Sequence, residues 1–156
     1  MKIPTAQEAK EKIQRYCAYQ ERSHQEVRNK LFEFGLYRND VDAIISDLIT
    51  NGFLNEERFA KAFAGGKFRM KKWGRIKITH ALEGKGVSKT CILIAMKEID
   101  ENSYVITLQE LLSEKSRAVA EDNVYLRRER LSKYAIQKGY EPELVWREIS
   151  MLIPKK

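Results

Sequence analysis

Between Arg58 and Lys85 the chain sets nine cations against one carboxylate: Arg58, Lys61, Lys67, Arg69, Lys71, Lys72, Arg75, Lys77 and Lys85 face only Glu83. Phe59, Phe63, Phe68 and Trp73 are interleaved with them. Cations that neutralise phosphates, with an aromatic ring near enough to stack, are what nucleic-acid binding requires. So dense a cluster repels itself and needs an anionic partner to be useful. The candidate contact surface is therefore Lys67, Arg69, Lys71, Lys72, Arg75 and Lys77, with Trp73 beside them. Phe59 and Phe63, four apart, read as core, and Trp73 stays open between packing and contact. A second patch, Arg127, Arg128 and Arg130 with Lys133, is diluted by Glu121 and Glu129. Its first reading is a solvated helix face, its second an additional contact surface.

Other chemistry finds little support. Lys85–Thr90 (KGVSKT) looks like a phosphate loop until it is aligned: the required glycines fall on Glu83 and Ser88, and no strand precedes it. It reads better as the end of one helix and the start of another. No nucleophile elbow, zinc-protease pair or dinucleotide fingerprint is present. Glu56-Glu57 open a helix, where the macrodipole favours acids. Cys17 and Cys91 sit among apolar residues at helical spacing and read as small buried hydrophobes, unbridged in a reducing compartment. His24 and His80 have no partners at ligand spacing, so neither a metal nor another cofactor is expected. An active site assembled from residues distant in sequence is the one enzymatic reading left. The expectation is a binding protein, not an enzyme.

The net charge of +7 is unevenly spread. Residues 1–54 carry eight Lys/Arg against eight Asp/Glu, residues 55–103 eleven against six, and residues 104–156 ten against eight. The middle third holds most of the excess, which makes nucleic acid or an acidic groove the natural partner. Apolar runs are too short to span a bilayer. Met1-Lys2-Ile3-Pro4-Thr5 is not followed by the apolar stretch of a signal peptide, so a cytoplasmic protein is expected.

The elements that must position these cations are helices, because apolar residues recur every three or four positions and strict alternation is nearly absent. A first helix over about Ala6–Tyr19 buries Ala9, Ile13, Tyr16 and Cys17. Ser23-His24-Gln25-Glu26 has the form of a capping box and opens a second that stops at Gly35. Val41, Ile44, Ile45, Leu48 and Ile49 form the stripe of a third, started by Asn39 or Asp40 and ended by Asn51-Gly52. Gly65-Gly66 is expected to interrupt a later helix.

The pattern repeats. Gly35, Gly86 and Gly139 each follow a short amphipathic helix. Eight residues before them stand Val27, Ile78 and Leu131, and four before, Leu31, Leu82 and Ala135. Leu36, Val87 and Tyr140 follow at one residue, Val41, Ile92 and Val145 at six. Ile45, Met96 and Ile149 follow at ten, and Leu48, Ile99 and Leu152 at thirteen. Six matched apolar positions predict an all-α protein of three tandem three-helix repeats, residues 1–52, 53–102 and 103–156, in an elongated or curved array. Each glycine would be a left-handed C-cap. Ser88 and Glu141-Pro142 would start the helices that follow the second and third glycines.

Three segments carry a family resemblance: Arg22-Ser23-x-x-Glu26-Val27-x-x-Lys30-Leu31 with Gly35; Asn51-Gly52-Phe53-Leu54-Asn55-Glu56-Glu57-Arg58-Phe59-Ala60; and Trp73-Gly74-Arg75-Ile76-Lys77-Ile78 with Leu82, Lys85 and Gly86. In this order, over nearly the whole chain, they resemble the bacterial RecX proteins. The resemblance implies an all-helical regulator of the RecA recombinase that binds in the groove of the RecA–DNA filament. There such proteins usually inhibit strand exchange, ATP hydrolysis and coprotease activity, and some bind single- or double-stranded DNA directly. Asn55 stands where an aspartate is common in the family, and the third repeat has a longer stretch between its first two helices. The expectation from the charge pattern is a monomer whose contacts to DNA or filament come from Lys67, Arg69, Lys71, Lys72, Trp73, Arg75 and Lys77, then Arg127, Arg128 and Arg130. The alternative is a DNA-binding helical protein that acts independently of a recombinase.

Overall fold

Gly35, Gly86 and Gly139 all take left-handed backbones, with φ of 90°, 77° and 104°. Each donates its N–H three residues back, to Phe32 O, Glu83 O and Ile136 O respectively. After the second and third glycines the next N–H reaches further still, Val87 to Leu82 O and Tyr140 to Ala135 O. This is the Schellman closure, which satisfies carbonyls that a helix end leaves open. The computed structural model describes residues 3–154. Its helices are α1 (Ala6–Tyr19), α2 (His24–Glu33), α3 (Arg38–Thr50), α4 (Glu56–Gly66), α5 (Arg75–Gly84), α6 (Lys89–Lys97), α7 (Glu101–Ala118), α8 (Val124–Gln137) and α9 (Pro142–Leu152). A π turn, Lys67–Lys71, extends α4. Among the described residues there is no strand, and the protein is all-α.

Helix starts follow local chemistry. Ser23 accepts from Glu26 N while Glu26 Oε1 accepts from Ser23 N, both at 3.0 Å, and Thr5 and Glu8 form the same reciprocal box at α1. Ser88 accepts from Cys91 N at 3.3 Å, and Pro142 occupies the first turn of α9 behind Glu141. Asn39 and Asp40 do not cap α3. Its cap is Tyr37, which makes no side-chain bond, because Leu36 is buried and the helix begins at once behind it. Asp40 instead sits in the first turn, where the dipole favours it.

The glycine-anchored positions are buried in all three copies, with two departures. Met96 is half-buried, and Leu152 is 40% exposed. Leu48 lies inside α3, and the chain turns back so that Phe53 and Leu54 donate to its carbonyl. Leu152 is the terminal residue of α9 and opens onto a cavity of about 310 Å³ shared with Gln109, Leu112 and Met151. Among the described residues no corresponding turn follows it.

The described chain forms two compact units. One comprises the residues through Phe63 with Leu82–Ala95, the other Ala64–Ala81 with the residues from Met96 onward. In the first, Ile13, Cys17, Val27, Leu31, Val41, Ile44, Ile45, Leu48 and Leu54 make one cluster with Tyr16, Phe34 and Phe53 at its edge. Each such side chain, fully buried, contributes about 1.5–3 kcal/mol. Phe59 is buried and Phe63 half-buried, their rings 5.8 Å apart. Cys17 is buried and Cys91 half-buried, and both are free thiols. In the second unit the core is Tyr104, Leu108, Leu111, Leu112, Leu131, Ala135, Tyr140, Val145 and Ile149.

Candidate functional site

Gly65 and Gly66 do not interrupt α4. Gly66 is helical, φ −63° and ψ −47°, and the helix widens into the π turn. The missing side chain of Gly65 leaves room for Arg69, whose Nη1 would lie 2.7 Å from a Cβ there. The turn ends on Lys72, a left-handed non-glycine residue with φ 56°. That conformation costs a side-chain-bearing residue roughly 1–2 kcal/mol. It is held from outside: Tyr140 Oη donates to Lys72 O at 3.0 Å and Lys138 Nζ to Lys71 O at 3.1 Å.

The start of α5 is tied to the end of α8. Gly74 N donates to Lys138 O at 2.8 Å and Ile76 N to Gly139 O at 2.9 Å. Arg75 N donates to Tyr104 Oη at 2.9 Å. The first amides of a helix have no partner within it, and here three of them are met by α7 and the α8 terminus. Such an approach requires Gly74: a Cβ on it would lie 2.3 Å from Gly139 C and 2.4 Å from Tyr140 N.

Arg75 is the centre of this frame. Its Nη1 donates to Glu141 Oε2 at 2.7 Å, its Nη2 to Glu101 Oε2, and its guanidinium lies 3.8 Å from the centroid of the Tyr104 ring. Burial works against its charge, but the Glu141 hydrogen bond and the surrounding anionic field outweigh that, and its pKa is raised. Tyr104 Oη donates to Glu141 Oε1. Tyr104 also packs against Phe68, centroids 5.8 Å apart, and against Tyr140 at 5.0 Å. Burial pushes both phenols well above the ordinary tyrosine range, with Glu141 adding to the effect. Both stay protonated and able to donate.

On this frame Arg69, Lys71, Lys72 and Lys77 are exposed, while Lys67, Trp73 and Arg75 are half-buried. Trp73 has two ammonium groups over its ring, Lys67 Nζ 5.0 Å and Lys77 Nζ 4.6 Å from the centroid. Cation–π attraction of this kind orders the Lys67 and Lys77 side chains. The second patch divides differently. Arg128 is buried and donates to Ile153 O at 2.7 Å and Ser150 Oγ at 3.0 Å. Arg127 donates to Val119 O at 3.0 Å and to Ser116 Oγ at 2.6 Å, so it fastens the segment after α7. Arg130 is exposed and meets Glu121 at 3.6 Å.

Sequence reasoning missed Tyr104, Tyr140, Glu101 and Glu141. The one available signal was Gly139-Tyr140-Glu141-Pro142, where a tyrosine occupies the repeat position held by Leu36 and Val87 elsewhere. Counting it as apolar hid its hydroxyl. Among the described residues no group of three or more His, Cys, Asp or Glu could hold a metal, and no helix is long and apolar enough to cross a membrane.

A family description, "RecX, second three-helix domain", matches residues 55–96. A regulatory protein RecX of Clostridium perfringens (strain SM101) is 30% identical over 121 residues, covering 76% of this chain and 56% of the relative. The chain thus spans little more than half the length of that relative. Another, of Prosthecochloris aestuarii, is 23% identical over 138 residues, 88% of this chain and 89% of the relative. The crystal structure of RecX from Lactobacillus salivarius shares the fold, with a TM-score of 0.86 at 18% identity, over 94% of this chain and 96% of that one.

Proposed function

We propose, from the premise that the chain belongs to the RecX family, that it binds the RecA–DNA filament and inhibits strand exchange, ATP hydrolysis and coprotease activity without catalysing a reaction itself. The three repeats, residues 1–52, 53–102 and 103–156, act as successive small contact modules of a cytoplasmic monomer. Modest contacts that act together bind far more tightly than each alone. Inhibition follows if a bridge between filament subunits resists the motion that catalysis needs.

The observation that carries this reading is the ridge of Arg69, Lys71, Lys72 and Lys77, exposed on a backbone fixed by Tyr140, Tyr104 and Arg75. Cations on a prearranged backbone lose less freedom on meeting phosphates or acidic side chains than cations on a loop. Arg75 belongs to the frame, so the test leaves it alone. Lys71→Gln/Lys72→Gln should co-sediment less well with a RecA–single-stranded DNA filament and inhibit strand exchange less. Each lost phosphate contact should lower the salt slope by about 0.7–0.9. If that variant binds and inhibits like the parent at physiological salt, the ridge is only a solvated face. If the parent binds bare DNA as tightly as the filament and leaves strand exchange untouched, the protein is instead a DNA-binding protein independent of the recombinase.

A further inference from the structure

Nine residues after the repeat glycines, the first two copies place Ile44 and Ala95, both buried in the core. The third places Glu148, which is only 4% exposed. An apolar side chain satisfies the fold at this position, so the carboxylate answers to something else. A charge taken out of water is offset only by close pairing, and the pairing of Glu148 is uneven. Its Oε1 accepts from Gln109 Nε2 at 2.8 Å, but its Oε2 meets Arg147 Nε at 3.3 Å, beyond the roughly 2.7–2.9 Å of a charge-assisted hydrogen bond. A carboxylate can accept more than these two bonds.

Glu148 lines the cavity of about 310 Å³ between α7 and α9. Gln109 and Ser113 add an amide and a hydroxyl to it, and Leu112, Met151 and Leu152 an apolar lining, of which Met151 is 62% exposed. A second cavity, of about 410 Å³, shares Gln109 and Ser113 and continues along α7 past Ile106, Glu110 and Glu114 to Arg117. Glu110 and Glu114 are exposed and four apart, so they repel each other on one helix face. A chain of net charge +7 thus sets three carboxylates beside exposed apolar side chains here, with Arg117 at one end and Arg147 at the other. We infer that the groove between α7 and α9 docks a basic amphipathic segment of a partner protein. One of its Arg or Lys side chains enters beside Glu148, its apolar residues cover Met151 and Leu152, and its further cations meet Glu110 and Glu114. Nucleic acid, anionic throughout, is repelled by the same carboxylates. The groove does not rest on the filament-binding ridge, whose partner carries the opposite charge.

The test titrates the full chain into a fluorescent peptide with leucines on one helical face and arginines beside them, followed by anisotropy. Glu148→Gln keeps the side chain's shape and can still accept from Gln109. Thermal unfolding should therefore hold while peptide affinity falls roughly 10- to 150-fold, the equivalent of one hydrogen bond to a charged group. Glu110→Gln/Glu114→Gln, on the exposed face, should weaken binding roughly 2- to 30-fold, the equivalent of two exposed ion pairs, and make it less sensitive to salt. This pair carries the test if Glu148→Gln loses stability. Replacing the peptide's arginines with citrulline, which removes the charge and keeps the shape, should weaken its binding to the parent. Four results overturn the inference. The folded carboxylate variants bind the peptide like the parent, or the citrulline peptide binds as well as the arginine peptide. Alternatively, Glu148→Gln weakens binding of an oligothymidylate as much as that of the peptide, which makes the occupant a nucleic acid. Or the parent sediments as a dimer that Glu148→Gln splits, which makes it a second copy.

Discussion

Gly74→Ala tests the frame most directly, and Gly66→Ala is its counterpart. A methyl on Gly74 would lie 2.3 Å from Gly139 C and 2.4 Å from both Gly139 O and Tyr140 N, all of them backbone atoms that cannot swing aside. The two stretches of backbone must separate, which breaks Gly74 N to Lys138 O and Ile76 N to Gly139 O. Two such bonds are worth about 1–3 kcal/mol together. Separation also pulls Arg75 N from Tyr104 Oη and Lys72 O from Tyr140 Oη, and each buried group left without a partner costs about 1–3 kcal/mol more. Gly66 is helical, and a Cβ there meets nothing within 4 Å. Alanine at that position should stabilise by about 0.5–1 kcal/mol, because the unfolded chain loses the freedom of glycine. Urea unfolding followed by circular dichroism should therefore move the midpoint down for Gly74→Ala and slightly up for Gly66→Ala. Filament binding should fall in the first and hold in the second. Equal midpoints for the two variants would refute the account of the frame.

Other consequences are simpler to read. Leu48, fully buried in the first unit, should cost about 2–5 kcal/mol when cut to alanine, measured by urea denaturation. Ser23→Ala removes a buried capping box and should cost about 0.5–2 kcal/mol, whereas Asn39→Ala, outside any cap, should stay within about 0.5 kcal/mol. The pKa values of Tyr104 and Tyr140 are raised on folding, so their contribution is complete below the ordinary tyrosine value of 10.0 and is lost as pH climbs past it, since the unfolded chain ionises first. Urea midpoints should fall on raising the pH through 10.0, and less steeply in Tyr104→Phe/Tyr140→Phe.

The fold was legible where the signal is local. A left-handed glycine behind an amphipathic helix stops it whatever lies elsewhere, so Gly35, Gly86 and Gly139 set the register, and nearly every position counted from them is buried. Ser23 and Glu26 satisfy each other within one turn, which is why the pattern sufficed. The failures come from competing local preferences that tertiary structure decides. Asn39 and Asp40 are good caps by type, but burial of Leu36 brings the helix start forward to Tyr37. The two glycines at 65 and 66 favour a break, yet the helix passes through them because Arg69 occupies the space above Gly65 and the chain reaches its external anchors only at Lys71 and Lys72.

The candidate site was legible as a density of charge and illegible as a division of labour. Composition counts Arg75, Arg127 and Arg128 as equals of Lys71 and Lys72, because charge alone does not show what each side chain meets. The partners of two of them are far along the chain: Glu141 stands 66 residues beyond Arg75, and Ile153 25 beyond Arg128. A planar guanidinium with several fixed donors is the cation best suited to such distant, multiple anchoring, and lysine, a flexible point charge, is better left in water. In this chain three of the five arginines proposed for contact are taken up by the fold, while Lys71, Lys72 and Lys77 remain exposed. That difference in chemistry accounts for the division seen here, with Arg75, Arg127 and Arg128 in the frame and Lys71, Lys72 and Lys77 left to a partner beside the exposed Arg69.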